Sequence, residues 1–286
     1  MPLRSLLFVP GDSERKLAAA TRHGADALIL DLEDSVAPAR KAAARAQVAA
    51  YLQEAPRGAG LKLLVRVNAL QSGLTAADLE AVLPARPDAL LLPKGDPQQL
   101  ATLDAQLAGL EARFGLPPGE LPVYVLATET ARGVFLVGQF AGVSSRLRGL
   151  SWGNEDLAAE LGAVNRGPDG QYEDTFRLAR SLCVLGAAAA GVDAIDGACM
   201  DFRDLEAFAR ECQDGRRAGF VAKLAIHPAQ VPLINATYTP TEAEVRWARR
   251  IVAAFAAEPE LGVIGLDGKV VDRPHLRLAE RLLARL

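Results

Sequence analysis

The sequence predicts an α/β chain built as a (β/α)8 barrel with a C-terminal helical extension. Eight short apolar runs of strand length recur along it, each closed by a turn signal and followed by helical spacing of alanine, leucine and charge. Runs such as Ala27-Leu28-Ile29-Leu30 and Ala89-Leu90-Leu91-Leu92 lack polar alternation, as parallel strands do when helices cover both faces of their sheet. Eight such units in about 230 residues match the size of a closed barrel. A doubly wound open sheet is the rival, because periodicity does not report closure. No G-x-G-x-x-G follows the first run, which weakens a dinucleotide-binding version of that rival.

The runs are Leu6–Pro10, Ala27–Asp34, Leu63–Asn68, Ala89–Lys94, Val123–Glu129, Leu147–Gly153, Asp193–Ala198 and Phe220–His227. Between them, Thr75-x-x-Asp78 has the pattern of a capping box, and Asp96-Pro97 reads as an N-cap followed by the first helical residue. Gly191 and Gly215 are expected to end helices as C-caps. After His227-Pro228 the rhythm changes. Thr241-x-x-Glu244 caps a helix through about Ala257, Gly262–Val271 reads as a hairpin around Asp267-Gly268, and Pro274 opens a final helix to Leu286. The expected organisation is a catalytic barrel over residues 1–234 and an extension over 235–286 that packs on the barrel or on a neighbouring subunit.

Composition narrows the class further. The chain has 286 residues, 32 Lys+Arg against 35 Asp+Glu, a net charge of −3 and an apolar half, which excludes disorder, collagen and coiled coil. No basic footprint for nucleic acid is present. The apolar run Leu6–Val9 meets Pro10-Gly11-Asp12 at once, too short for a signal peptide or a membrane span. Cys183, Cys199 and Cys212 are an odd number without C-x-x-C spacing, so neither a disulfide framework nor a zinc knuckle is expected and a cytoplasmic location is.

In such a barrel the active site lies at the C-terminal ends of the strands. There the sequence places Asp31-Leu32-Glu33-Asp34, Arg66-Val67-Asn68, Pro93-Lys94, Thr128-Glu129-Thr130 and Gly153-Asn154-Glu155-Asp156. Carboxylates gathered without histidine or cysteine make the hard, oxygen-lined site that Mg²⁺ prefers. Arg66 lies inside an apolar strand, where a guanidinium requires an anion, either one of these carboxylates or the carboxylate of a substrate. Asp34, Asp96 and Asp156 each read equally well as helix N-caps. Glu129 closes an apolar strand and Glu caps poorly, so it reads as a ligand or a base. Lys94 is open between a rim residue and a site residue.

The ordered boxes carry more than their composition. Ser5-Leu6-Leu7-Phe8-Val9-Pro10-Gly11, Leu30-Asp31-Leu32-Glu33-Asp34-Ser35-Val36, Arg66-Val67-Asn68, Glu129-Thr130-Ala131-Arg132-Gly133-Val134, Gly153-Asn154-Glu155-Asp156-Leu157 and Ile226-His227-Pro228-Ala229-Gln230 span nearly the whole chain. Together they resemble the citrate lyase beta subunit and its stand-alone relatives, the citramalyl-CoA and malyl-CoA lyases of the HpcH/HpaI aldolase superfamily. The resemblance implies a TIM barrel, a homotrimer, and Mg²⁺-dependent carbon–carbon cleavage of a 3-hydroxyacyl-CoA to acetyl-CoA and an oxo acid. It implies Glu129 and Asp156 as metal ligands, Arg66 as the partner of the substrate carboxylate, and Phe8, Arg15, Ile226 and His227 as CoA contacts. Arg15 stands where relatives carry lysine, which keeps the charge and changes the donor geometry. Asp272, in Val271-Asp272-Arg273-Pro274, matches an aspartate that acts as acid/base in a neighbouring subunit's site, and reads otherwise as a cap before Pro274. Two other functions stay open at this stage. One is a beta subunit acting only with citrate lyase alpha and acyl-carrier subunits, and the other is an aldolase of free 2-oxo acids.

Overall fold

In the computed structural model, which describes residues 3–55 and 60–286, strands and helices alternate as the apolar runs require. The order is β1 (Ser5–Pro10), α1 (Glu14–Ala20), β2 (Ala27–Asp31), α2 (Lys41–Glu54), β3 (Lys62–Arg66), α3 (Thr75–Val82), β4 (Ala89–Leu92) and α4 (Pro97–Phe114). It continues with β5 (Val123–Leu126), α5 (Ala131–Leu136), β6 (Leu147–Ser151), α6 (Asn154–Leu161), α7 (Asp174–Ala190), β7 (Asp193–Asp196), α8 (Leu205–Ala218) and β8 (Ala222–Ala225). Every strand pairs in parallel with the next, and β8 returns to β1 through Ser5–Lys223, Leu6–Leu224 and Leu7–Ala225. The sheet is therefore a closed TIM barrel, and the open-sheet rival is excluded.

Alternation along each strand decides which residues face inward. Ala27 and Ile29, Leu64, Ala89 and Leu91, Leu126, Ile195, and Ala222 and Leu224 share one core cluster with Leu6, and Phe8 packs against it. Two residues further along the same parity come Asp31 after Ile29, Arg66 after Leu64 and Ile226 after Leu224. The ladders stop short of several sequence runs, and the freed ends, including Leu32 to Asp34, Pro93-Lys94 and Ala127 to Glu129, form the loops at the mouth.

Two of the expected caps are overturned. No side chain caps α3: Thr75 is its first residue and its hydroxyl donates to the Asn68 carbonyl (2.9 Å). Asp78 is fully buried, accepts from both the backbone and side-chain nitrogens of Asn68 (2.7 Å each), and pairs with Arg45 (2.6 Å). These tertiary partners outweigh the local box. Gly215 lies buried inside α8 and not at its end; the left-handed turn falls at Gly219, whose φ of 110° suits only glycine. Asp96 caps α4 through the Gln99 N–H (2.9 Å), and Gly191 ends α7, both as expected.

A charged network lies buried behind β7 and β8. Asp196 accepts from Trp152 Nε1 (2.7 Å), from Arg180 Nε and Nη2 (3.0 and 2.8 Å) and from Lys223 Nζ (2.9 Å), while Lys223 also reaches Glu211 (2.9 Å). Burial opposes ionisation of Asp196, but the charges and hydrogen bonds of Lys223 and Arg180 hold its carboxyl below the usual carboxylate range.

The chain divides into two compact units, Leu3–Ala236 and Thr237–Leu286, and passes from one to the other within α9 (Val231–Tyr238). In the second unit Thr241 and Glu244 form a reciprocal capping box at the start of α10 (Glu242–Ala257). The strands β9 (Val263–Leu266) and β10 (Lys269–Asp272) pair antiparallel around Asp267-Gly268, whose φ values of 51° and 71° are those of a tight hairpin turn. Helix α11 (Arg273–Leu283) then packs Ala279 with Ala248, Ile251, Phe255 and Val271 into this unit's own core. Among the described residues no helix is long and apolar enough to cross a membrane.

Replacing Asp196 by Ala takes from Lys223 and Arg180 the carboxylate they share. The expected loss is about 3–5 kcal/mol in equilibrium urea unfolding, the usual cost of removing one partner from a buried charge pair.

Candidate active site

The mouth is organised from β2 and β3. Asp31 and Arg66 are register partners on neighbouring strands, and the Arg66 fork binds Asp31 through Nε (2.6 Å) and Nη2 (2.7 Å). Asp31 also accepts from Glu33 N (2.9 Å), Ser35 N (3.2 Å) and Ser35 Oγ (2.5 Å), which folds the acidic box into a tight turn. Burial alone would raise the Asp31 carboxyl, but Arg66 and these donors hold it below the usual range. Arg66 is completed by Glu33 Oε2 at 2.9 Å from Nη1 and by the Phe8 ring, whose centroid lies 4.7 Å from the guanidinium carbon. A guanidinium so held is fixed in direction, with N–H groups beyond those bound to Asp31 still able to meet a ligand.

Lys94 follows β4 with a left-handed backbone, φ 50°. Its N–H donates to Glu129 Oε2 (2.7 Å), and its ammonium lies 2.6 Å from Glu33 Oε1, 3.1 Å from Asp34 Oδ2 and 3.1 Å from Asp156 Oδ1. The residue left open by the sequence is thus a member of the cluster. Glu129 is only 4% exposed. Burial above all, and then the charges of Asp156 and Glu33, push its carboxyl well above the usual carboxylate range against the pull of Arg66 and Lys94. Gly153 makes room for it, since a Cβ there would stand 2.4 Å from Glu129 Cγ. Asp156 lies in the first turn of α6, where the helix dipole favours a carboxylate, and Gly153 rather than Asp156 is the N-cap. Of the three aspartates that read as caps, only Asp96 is one.

Phe8, Arg15, Arg66, Glu129, Asp156, Ile226 and His227 all line one cavity of about 730 Å³. Arg15 is an exposed residue of α1. His227 caps the turn Pro228–Gln230, its Nδ1 accepting the Ala229 N–H (3.2 Å), and its ring stacks on Phe202 with centroids 4.5 Å apart. The acceptor role of Nδ1 leaves Nε2 as the N–H donor. Asp272 belongs to the second unit. There it caps α11, accepting from His275 N (3.4 Å) with its Oδ1 2.5 Å from His275 Nδ1, and the bond to His275 lowers its carboxyl below the usual value. The cap is the reading the sequence offered for Asp272 beside the acid/base role that the resemblance implied.

Sequence reasoning missed the anchoring role of Asp31 and Glu33, which were grouped with the other carboxylates. Inward parity and the one-to-one register of β2 against β3 would have paired Asp31 with Arg66. Trp152 was also missed. It walls the cavity while its indole is tied to Asp196, and no signal in its own segment points to that tie.

A closed barrel with a fixed arginine, a lysine and crowded carboxylates on one rim defines an enzyme site of the β/α-barrel class. The chain belongs to the HpcH/HpaI aldolase/citrate lyase family, which it matches over residues 4–228, and it is a carbon–carbon lyase of that family. Residues 174–286 also match the family described as C-C bond lyase of the TIM-barrel fold. It is 39% identical to a (3S)-malyl-CoA thioesterase of Cereibacter sphaeroides, over 99% of this chain and 94% of that one. It is 34% identical to the citrate lyase subunit beta of Leuconostoc mesenteroides subsp. cremoris, over 98% of this chain and 92% of the relative. Its fold is similar to the crystal structure of protein CitE from Mycobacterium tuberculosis in complex with magnesium, acetoacetate and coenzyme A. That likeness has a TM-score of 0.77 at 34% identity and covers 99% of this chain and 97% of the other.

Gly153→Ala drives a methyl group into Glu129. The expected result is a loss of about 1–3 kcal/mol in thermal or urea unfolding, the usual cost of overpacking, with the Glu129 side chain displaced in a crystal structure.

Proposed function

We propose that this chain cleaves a 3-hydroxyacyl-CoA of the malyl, citramalyl or citryl type to acetyl-CoA and an oxo acid, with Mg²⁺ held by Glu129 and Asp156. The observation that carries this reading is the opening of Arg66, Glu129 and Asp156 onto one cavity beside a surplus of negative charge. Glu33, Asp34 and Asp156 face the single ammonium of Lys94, whose backbone N–H binds Glu129, while Arg66 is shared between Asp31 and Glu33. Two hard oxygen donors with unbalanced charge suit Mg²⁺, which takes one or two carboxylates and leaves its other positions to water and substrate. Among the described residues no group of three or more acidic, histidine or cysteine side chains is placed to hold a metal ion, so the pair Glu129 and Asp156 would leave the remaining positions to water and substrate. The magnesium, acetoacetate and coenzyme A of the CitE complex support the same chemistry.

When bound, Mg²⁺ supplies Lewis acidity to the hydroxyl oxygen that becomes the carbonyl of the oxo acid. Arg66, immobilised by Asp31, holds the adjacent carboxylate so that the breaking bond stays aligned. The hydroxyl proton goes to the Asp272 carboxylate of a neighbouring chain in a trimer. The carbon–carbon bond then breaks, its electron pair becomes the enolate of acetyl-CoA, and protonation of that carbon completes the product. Phe8, Arg15, Ile226 and the Nε2–H of His227 bind the CoA chain. With Nδ1 engaged in capping, His227 is a donor here and not a base.

A second reading, hydrolysis of the thioester, is favoured by the name of the Cereibacter relative. One assay separates the two: acetyl-CoA, free CoA and acid products are followed with malyl-, citramalyl- and citryl-CoA, in Mg²⁺ and in EDTA. Acetyl-CoA released only with Mg²⁺ is the expected result. Free CoA with the intact hydroxy acid would identify a thioesterase. Silence on all three would return the function to a subunit dependent on citrate lyase alpha and acyl-carrier partners, or to an aldolase of free 2-oxo acids.

Glu129→Gln is expected to remove the Mg²⁺-dependent release while the protein still folds, as read by circular dichroism. Asp272→Asn should lower kcat by about 10²–10⁴-fold, the range for loss of a general acid/base, with KM little changed. Mixing these two inactive variants after partial unfolding and reassembly should restore activity if Asp272 serves a neighbouring chain. A mixture that stays inactive would count against service to a neighbouring chain, and a native kcat in Asp272→Asn would place the acid/base elsewhere.

A further inference from the structure

Lys94 is a charged member of the cluster with no part in the reaction as derived above. Its backbone is locked. Pro93 precedes it, and the Gly95 that follows donates to the Leu126 carbonyl (3.0 Å) and leaves no room for a side chain, a Cβ there lying 2.4 Å from Val125 Cγ1. The left-handed φ of 50° turns the Lys94 N–H onto Glu129 Oε2 (2.7 Å). Glycine would supply that N–H with less strain, so what lysine adds at this position is its ammonium group. That group lies among Glu33 and Asp34 from the loop after β2 and Asp156 from α6, at 2.6, 3.1 and 3.1 Å.

We propose that Lys94 is a tethered cation that competes with the divalent ion for Asp156, and is a positioning residue for the metal site. The inference rests on the assignment of Glu129 and Asp156 as metal ligands. An ammonium 3.1 Å from Asp156 Oδ1 already satisfies one oxygen of a carboxylate the metal would use, and two cations at one carboxylate repel. Glu33 and Asp34 give the ammonium somewhere to stay, so release of Asp156 needs a side-chain shift and no movement of the backbone. Without metal, Lys94 keeps Asp156, Glu33 and Asp34 from repelling one another. With metal, it yields Asp156 and lowers the affinity of the site, so the ion is held reversibly.

The test is a titration of the purified chain with Mn²⁺, followed by electron paramagnetic resonance, and melting curves in EDTA and in Mn²⁺. Lys94→Met is expected to bind Mn²⁺ about tenfold more tightly than the native chain, because a nearby positive charge is gone, while Lys94→Arg keeps the native affinity. The melting temperature of Lys94→Met should fall in EDTA and recover in Mn²⁺, a recovery that a purely structural lysine would not give. Lys94→Gln repeats the measurement with a polar side chain if the Met variant fails to fold. Unchanged or weaker Mn²⁺ binding by the uncharged variants, with native binding intact, overturns this inference alone. Absence of Mn²⁺ binding by the native chain, with Glu129→Gln indistinguishable from it, overturns the metal assignment and this inference together.

Discussion

A guanidinium cannot enter an apolar strand without an anion, and the meeting of Arg66 with Asp31 across the β2–β3 ladder answers that requirement for the whole mouth. The pair is bidentate and buried, so it sets a direction as well as a charge. Asp31 folds the acidic box into the turn that delivers Glu33 to Arg66 and Lys94. Lys94 in turn fixes Glu129 by its backbone and reaches Asp156 by its side chain. Residues from the ends of five strands thus depend on one ion pair for their places.

The chain holds two buried charge systems with different balances. Behind β7 and β8, the two carboxylates Asp196 and Glu211 are met by three cations, Lys223, Arg180 and Arg166, and this system packs the wall and anchors Trp152. At the mouth the carboxylates outnumber the cations, and the buried Glu129 is the one whose ionised form is least favoured. Carboxylates that each find a cation are what a buried structural network requires. Unbalanced charge opening on a cavity is what a site for a cation and an anionic substrate requires, and in a carbon–carbon lyase barrel both meet at the strand ends.

The fold was legible because its signals are local and repeated. Each apolar run became a strand, and Thr241, Asp96 and Gly191 punctuate helices as their types dictate. Local signals failed where a distant partner offered more. Asp78 is drawn to Asn68 and Arg45 instead of closing a cap at Thr75, and α8 runs on through Gly215 because Gly219 supplies the left-handed turn. In the mouth the residue types were legible, and Phe8, Arg15, Arg66, Glu129, Asp156, Ile226 and His227 do line one cavity. Their pairing was not legible, because Asp31, Glu33, Asp34, Glu129 and Asp156 are chemically alike on paper.

By itself the sequence determined the β/α rhythm, the rim on which polar residues gather and the family to which the chain belongs, since each follows from residue type and order. Only the tertiary structure decided that the sheet closes, that Asp31 rather than a substrate satisfies the buried side of Arg66, and that Lys94 stands among the carboxylates. The reason is physical. Strand pairing and charge pairing join residues far apart in the chain, as Arg66 with Asp31 and Lys94 with Glu33, and their energies depend on distances that no local pattern encodes.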